Sequence, residues 1–167
     1  MKHFTYKEIR QKYINFFLKY NHKEIPSSSL IPEDDPSVLF VNAGMFPLVP
    51  FLKGEKHPEG KRLVNSQRCL RTGDIDLVGD NFHVTTFEML GNWSLNDYFK
   101  KEAINYTIKF FVEELGLKIE NIYATVFEGT KEIPKDDVSI EVWKEIFNSY
   151  NIEAKVGKGE RIEPLGK

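Results

Sequence analysis

The sequence predicts an α+β fold, an antiparallel β-sheet flanked by helices, and three observations carry that expectation. Segments of helical periodicity and short β-branched runs alternate in the order helix, strand, hairpin, helix, strand, helix, with a short strand around 154–156 after them. A hairpin, Arg62 to Leu70 and Val84 to Trp93, occupies the middle of that order where a parallel fold would need a βαβ crossover. No GxGxxG follows a strand and no Walker-type glycine loop occurs, so the two common nucleotide folds are not indicated.

Composition bounds what the fold can be. With 167 residues, 41% of them hydrophobic, the chain is long enough to bury a core without disulfides or metal, and one domain over 1–167 is the expectation. Its 23 basic and 25 acidic residues give a formal charge of −2, so any nucleic-acid contact must be local rather than a bulk electrostatic attraction. The single cysteine, Cys69, excludes an internal disulfide and a thiolate cluster and fits a reducing compartment. No segment reaches the roughly 18 apolar residues of a membrane span. A soluble, cytoplasmic protein is expected, with no membrane partner.

Taken in order, Thr5 to Glu8 has capping-box form, and Tyr6, Ile9, Tyr13, Phe16, Phe17 and Tyr20 recur at helical spacing, with Asn21 and His22 as the exit. The aromatic stripe reads as a core face. Lys23 to Ser37 is a loop, since Pro26, Pro32 and Pro36 rule out a helix. Val38 to Val41 reads as a buried strand, ended by Asn42-Ala43-Gly44 with a glycine able to take positive φ. Met45 to Leu52 carries Pro47 and Pro50 and suits a short irregular helix or a packed turn. After the hairpin, Ser94 to Asp97 offers a cap for a helix from Tyr98 to Leu115, closed by Gly116. Ile122 to Phe127 is a strand, and Asp136 or Asp137 caps a helix carrying Val142, Trp143, Ile146 and Phe147.

The chemistry concentrates on the hairpin and its long loop, because uncommonly long loops are usually functional or mobile. Arg71 ends the first strand, where a guanidinium can fork onto phosphate. His83, Phe87 and Glu88 enter the second strand, offering a phosphate contact, a ring for a base, and a carboxylate for an amine or a metal. Arg71, His83, Phe87 and Glu88 are the candidate nucleotide-binding set. Taken singly, plainer readings prevail: a surface ion pair for Arg71, core packing for Phe87, a structural role for His83. Phe87 and Glu88 also face opposite ways unless the strand is bulged. Asp74, Asp76 and Asp80 fit no EF-hand spacing and read as solvated loop carboxylates, so no protein metal site is expected.

These residues also stand in a known order. The stretches IPSSSLIPEDDPSVLFVNAGM at Ile25 to Met45, SQRCLRTGD at Ser66 to Asp74 and FEMLGNWSLNDYFK at Phe87 to Lys100 closely resemble the N-terminal part of the alanyl-tRNA synthetases, a class II aminoacyl-tRNA synthetase family. The resemblance implies a catalytic domain of that class, built on an antiparallel sheet, whose second signature motif is the hairpin. It implies that Arg71 is the catalytic residue, gripping the α-phosphate of ATP and stabilising the charge that develops there, that Phe87 stacks on adenine and that His83 approaches the γ-phosphate. Asn42 to Met45 falls in the region resembling the first motif, which supports the site. The implied reaction activates alanine with ATP to alanyl-adenylate, with Mg2+ on the phosphates, and transfers alanine to tRNA(Ala).

Members of that family are several times longer, so the chain is expected to be the N-terminal portion of the catalytic domain, incomplete at its C-terminal end and weakly active or inactive alone. Gly157 to Arg161 superficially resembles the glycine-rich run of the third motif, but Pro164 argues against the helix that motif needs. The alternative is a non-catalytic truncated paralogue or split subunit, a binding module for a complementary C-terminal chain or for itself.

Overall fold

The computed structural model describes residues 3–32, 38–157 and 161–164. Its packing divides the chain into two compact units, one over Phe4–Asp97 and the other over Tyr98–Lys167 together with Met1–His3.

In the first unit, helix α1 spans Tyr6–Lys19 and opens with the expected capping box. The Glu8 backbone N–H donates to Thr5 Oγ1 at 3.3 Å and the Thr5 N–H donates back to Glu8 Oε2 at 2.7 Å, so two otherwise orphaned donors are satisfied reciprocally. Ile14, Phe16 and Phe17 are buried, but of the expected stripe Tyr6 is exposed and Ile9, Tyr13 and Tyr20 are half-buried, so the core face is confined to the C-terminal half of the helix. Asn21 then takes positive φ, 62°, and His22 is buried with its Nδ1 3.2 Å from the Phe17 carbonyl. That sharp exit sets Lys23–Glu24, strand β1, beside strand β2, Arg62–Leu70. The pairing is parallel, Lys23 with Leu63 and Glu24 with Val64. Strand β3, Thr86–Ser94, completes a sheet of order β1-β2-β3 and pairs antiparallel with β2 from Arg62 with Ser94 to Leu70 with Thr86. The sheet is therefore mixed, which corrects the expected antiparallel sheet. A two-residue Lys-Glu strand has no alternation to betray it; the turn at Asn21 and the seat of His22 create it.

The expected strand at Val38 to Val41 does not form either. Leu39 is 84% exposed, and only Val41 reaches the sheet: its N–H donates to the Leu30 carbonyl at 2.8 Å and its carbonyl accepts the Leu70 N–H at 3.0 Å. One contact with the end of β2 outweighs the β-branched propensity of the run, which is a weak, context-dependent preference. Pro36 and the rest of 33–37 lie outside the described residues. Phe46–Leu48 is a 3-10 turn running into a one-turn helix α2, Val49–Leu52, which fits the irregular helix expected there. Ile25, Leu48, Leu63 and Leu95 form the core beneath, with Phe51 and Trp93 packed against it.

The second unit begins with helix α3, Lys100–Lys109, continued by a π-helical turn over Phe110–Glu114 and closed by Gly116 at φ 71°. Its N-cap is Phe99 with no side-chain cap, not the Ser94 to Asp97 segment; there Ser94 Oγ instead accepts the Asp97 N–H at 3.3 Å as a local turn. Strand β4 is only Ala124–Thr125, shorter than the six-residue run suggests. Helix α4, Asp137–Ser149, is capped by Asp136, whose side chain accepts the Ser139 N–H. Strands β5, Ala154–Val156, and β6, Arg161–Pro164, give a second antiparallel sheet of order β4-β6-β5. Arg161 and Pro164 are thus strand residues, in line with the expectation that no helix follows Gly157; residues 158–160 lie outside the described residues. The fully buried Phe147 and Ile162 are at the centre of this unit's core, with Ile108, Ile140 and Ile146 around them. No helix among the described residues is long and apolar enough to cross a membrane.

Candidate functional site

Antiparallel register decides which candidate side chains can meet. Cys69 stands opposite Phe87 and Arg68 opposite Glu88, so Phe87 and Glu88 point to opposite faces of the hairpin. The ladder continues one step past β2, where the Arg71 N–H donates to the Thr85 carbonyl at 2.8 Å. That step puts Arg71 in phase with Cys69 and Phe87. Its guanidinium carbon lies 5.1 Å from the centroid of the Phe87 ring, a cation-π contact. Its Nε donates to the Asn42 carbonyl at 2.9 Å. The two terminal nitrogens have no hydrogen-bond partner among the described residues, which leaves a planar two-pronged donor ready for an anion. The same charge bears on Cys69, whose thiol is pushed up by burial and drawn partly back by Arg71.

Glu88 is engaged on the other face. Arg10 of α1 grips it with two hydrogen bonds, from Nε at 2.6 Å and from Nη2, and Ser66 Oγ donates to it at 3.0 Å. These partners, Arg10 first, hold the Glu88 carboxyl below its ordinary value. Tyr13 Oη donates to Asn92 Oδ1 at 2.8 Å further along the same face, so α1 is tied to β3 at two points. A groove of about 540 Å³ runs between α1 and the hairpin, walled by Tyr6, Arg10, Arg68, Phe87 and Glu88 among others. Of the Arg71-Phe87 pair it includes only Phe87.

His83 stays within its loop. Its Nδ1 lies 2.6 Å from Asp80 Oδ2, while Asp80 Oδ1 accepts the backbone N–H groups of Phe82 and His83 at 2.8 and 2.7 Å. Those donors, the His83 N–H foremost, hold Asp80 below its ordinary value. Among the described residues His83 has no hydrogen bond or ring contact to Arg71, Phe87 or Glu88. The structure thus brings together Arg71 and Phe87, and gives Glu88 and His83 other partners. No group of three or more possible metal ligands gathers among the described residues, and Glu88 has no carboxylate oxygen free of a donor. A divalent cation would need its oxygens from elsewhere.

Three contributors escape a reading of the sequence. Arg10 lies 78 residues from Glu88, and nothing local marks that pairing. Asn42 acts through its carbonyl, which no side-chain pattern reveals. Gln67 is fully buried; its Oε1 accepts the Ser28 N–H at 2.8 Å and its Nε2 donates to the Ser28 and Arg68 carbonyls at 3.1 and 2.8 Å. Here a signal did exist, since Asn65 and Gln67 are polar residues on the β2 face that also carries Leu63 and Cys69.

The sequence is similar to known proteins along most of its length. A family model described as tRNA synthetases class II (A) matches residues 8–160. An alanine-tRNA ligase of Treponema denticola is 55% identical over 147 residues, which cover 87% of this chain and 24% of that protein. Alanine-tRNA ligases of Borreliella afzelii and Petrotoga mobilis are 51% and 49% identical, over 85% and 87% of this chain and 24% and 16% of theirs. The chain spans about a quarter or less of the length of these curated relatives.

Proposed function

The chain belongs to the class II (A) tRNA synthetase family, and on that premise we propose that it supplies the ATP-binding hairpin of an alanine-tRNA ligase. The reaction in this reading has an alanine carboxylate oxygen attack the α-phosphorus of ATP. The bond to pyrophosphate breaks and alanyl-adenylate forms; a hydroxyl at the 3′ end of tRNA(Ala) then takes the alanyl group as AMP leaves. Such chemistry needs positioning and charge stabilisation rather than a protein nucleophile.

The observation that carries the proposal is the Arg71-Phe87 pair. A guanidinium fixed through Nε to the Asn42 carbonyl, with its two terminal nitrogens unpartnered among the described residues, suits an α-phosphate whose charge grows in the transition state. The ring beneath it suits adenine. His83 would exchange Asp80 for the γ-phosphate. Glu88 acts through the strand it anchors to α1. Mg2+, when bound, would be held through the ATP phosphates and would offset their charge, as the described residues gather no group of three or more possible ligands for it. Alanine and tRNA(Ala) as substrates, and a cytoplasmic site of action, follow from the same reading.

The test is Mg·ATP binding by calorimetry on this chain and on Arg71→Ala. Binding that disappears in the variant supports the proposal, and equal affinity in both sinks it. Alanine-dependent pyrophosphate exchange by the chain alone is expected to be little or none.

A further inference from the structure

Gly44 is read from the sequence as a positive-φ turn residue, but it is not among the glycines with positive φ. What the structure asks of it is space. A β-carbon on Gly44 would stand 3.2 Å from Trp93 Cζ2, tighter than ordinary contacts, and 3.4 Å from Met89 Sδ, at the near edge of van der Waals contact. Of the two, the indole is the one held in place. The Trp93 indole N–H donates to Asn65 Oδ1 at 3.0 Å, and Asn65 is buried. The indole also lies so closely over Gly91 that a β-carbon there would meet it at 2.4 Å. Met89 Sδ accepts the Gly44 N–H at 3.1 Å, which holds the turn down on β3. A side chain at position 44 needs a few tenths of an ångström that the held indole resists giving, so the turn takes up the difference.

The same turn delivers the Asn42 carbonyl to Arg71 Nε at 2.9 Å, and the residue before it, Val41, accepts the N–H of Leu70. We infer that Gly44 is a positioning residue: by letting the Asn42–Gly44 turn lie flat on Trp93 and Met89, it fixes the Arg71 guanidinium over Phe87 with its two terminal nitrogens left for phosphate. This rests on the reading of Arg71 as the phosphate grip. It adds that the orientation of Arg71 is set by main chain, through a residue with no polar side chain of its own.

The experiment has one arm that needs no ligand. In the 15N-labelled chain the Arg71 Nε–H signal, assigned by its loss in Arg71→Lys, is expected to be shifted and protected from exchange by the Asn42 carbonyl. In Gly44→Ala that signal is expected to move and lose protection. Met89→Leu, which removes the sulfur acceptor at near-constant volume, is expected to move it in the same direction by less. In the second arm Gly44→Ala weakens Mg·ATP roughly tenfold, about the worth of one hydrogen bond to a charged group, and leaves adenosine affinity unchanged. An Arg71 signal unmoved in both variants overturns the inference, and so does an equal loss of ATP and adenosine. If the parent chain binds no Mg·ATP, the functional proposal fails, while the spectroscopic arm still decides the role of Gly44.

Discussion

The Arg71 guanidinium stands 5.1 Å over the Phe87 ring, although the two residues enter the hairpin from opposite sides of its long loop. Strand register brings them together, since Arg71 continues the ladder from Cys69, which pairs with Phe87. The ring shields one side of the guanidinium and the Asn42 carbonyl takes its Nε. An ammonium has no such division between an anchoring nitrogen and a presenting fork. Arg71→Lys is therefore expected to lose Mg·ATP nearly as fully as Arg71→Ala. Phe87→Leu keeps apolar volume but not the π-face, and should weaken ATP and adenosine together by roughly tenfold or more, within the range of about 1–3 kcal/mol per stacked base. Calorimetric titration of both variants with both ligands checks this.

A second expectation concerns the start of α4. Asp136 Oδ1 accepts from Lys100 Nζ at 2.7 Å and from the Ser139 N–H at 3.2 Å, and Oδ2 accepts from Ser139 Oγ at 2.8 Å. The Lys100 hydrogen bond is the main reason its carboxyl sits below the ordinary value, and Ser139 adds to it. Asp136→Ala should cost about 0.5–2 kcal/mol, the worth of an N-cap. Asp136→Asn keeps the cap oxygen and should recover most of that, because the Lys100 pair is partly exposed and screened. With its folded pKa depressed, this carboxylate contributes stability above its ordinary value near 3.8 that is lost as pH falls below it. Urea titrations of the two variants at pH 7 and pH 3 measure both effects.

What was legible in the sequence is what short-range chemistry decides. Thr5 with Glu8, and Asp136 with Ser139, are contacts three residues apart; residue type alone gave the first cap and narrowed the second to Asp136 or Asp137. The hairpin was legible as two strand-like runs either side of a long polar loop, and the opposition of Phe87 to Glu88 from the strand period. What was hidden is long-range or carried by main chain. Nothing in Lys23-Glu24 announces a parallel strand, and nothing in Val38 to Val41 announces that a good β-run will touch the sheet only at its last residue. For the candidate site the same division holds. The order of Arg71, His83 and Phe87 is in the sequence, but the Asn42 carbonyl that fixes Arg71, and the Arg10 that claims Glu88, are products of the fold.

Below neutral pH the buried His22 should govern part of the stability. Desolvation is the main cause that lowers its pKa from 6.5, and the carbonyls of Phe17 and Tyr20 oppose it only in part. In the unfolded chain the imidazole takes up a proton as pH falls through about 6.5, whereas in the folded chain it does so later, so the unfolded state gains protons first. Stability is then full above that value and declines as pH drops below it. Thermal midpoints should fall between pH 7 and pH 5.5, ahead of the carboxylate region. His22→Gln, even if less stable throughout, should flatten that slope; an unchanged slope would remove His22 from the account.

Gln67 should respond to pH in the opposite sense once it is made acidic. Its amide mimics a stretch of backbone, exchanging hydrogen bonds with both the N–H and the carbonyl of Ser28, and donating also to the Arg68 carbonyl. Gln67→Leu removes all three and is expected to cost about 1–3 kcal/mol, kept from being larger because Ser28 itself is exposed to water. Gln67→Glu keeps the acceptor for the Ser28 N–H but turns a charged oxygen toward two carbonyls in a fully buried site. At pH 7 it should be the worse substitution of the two. Burial and those carbonyls raise the pKa of the new carboxyl in the folded state above its unfolded value near 4.3, so the folded chain holds a proton that the unfolded chain has lost. The penalty relative to the parent must therefore shrink as pH falls through the raised value, while Gln67→Leu shows no such trend. Chemical denaturation of the three proteins between pH 7 and pH 5 separates these outcomes, and a pH-independent penalty for Gln67→Glu would mean that Nε2 is not needed as a donor.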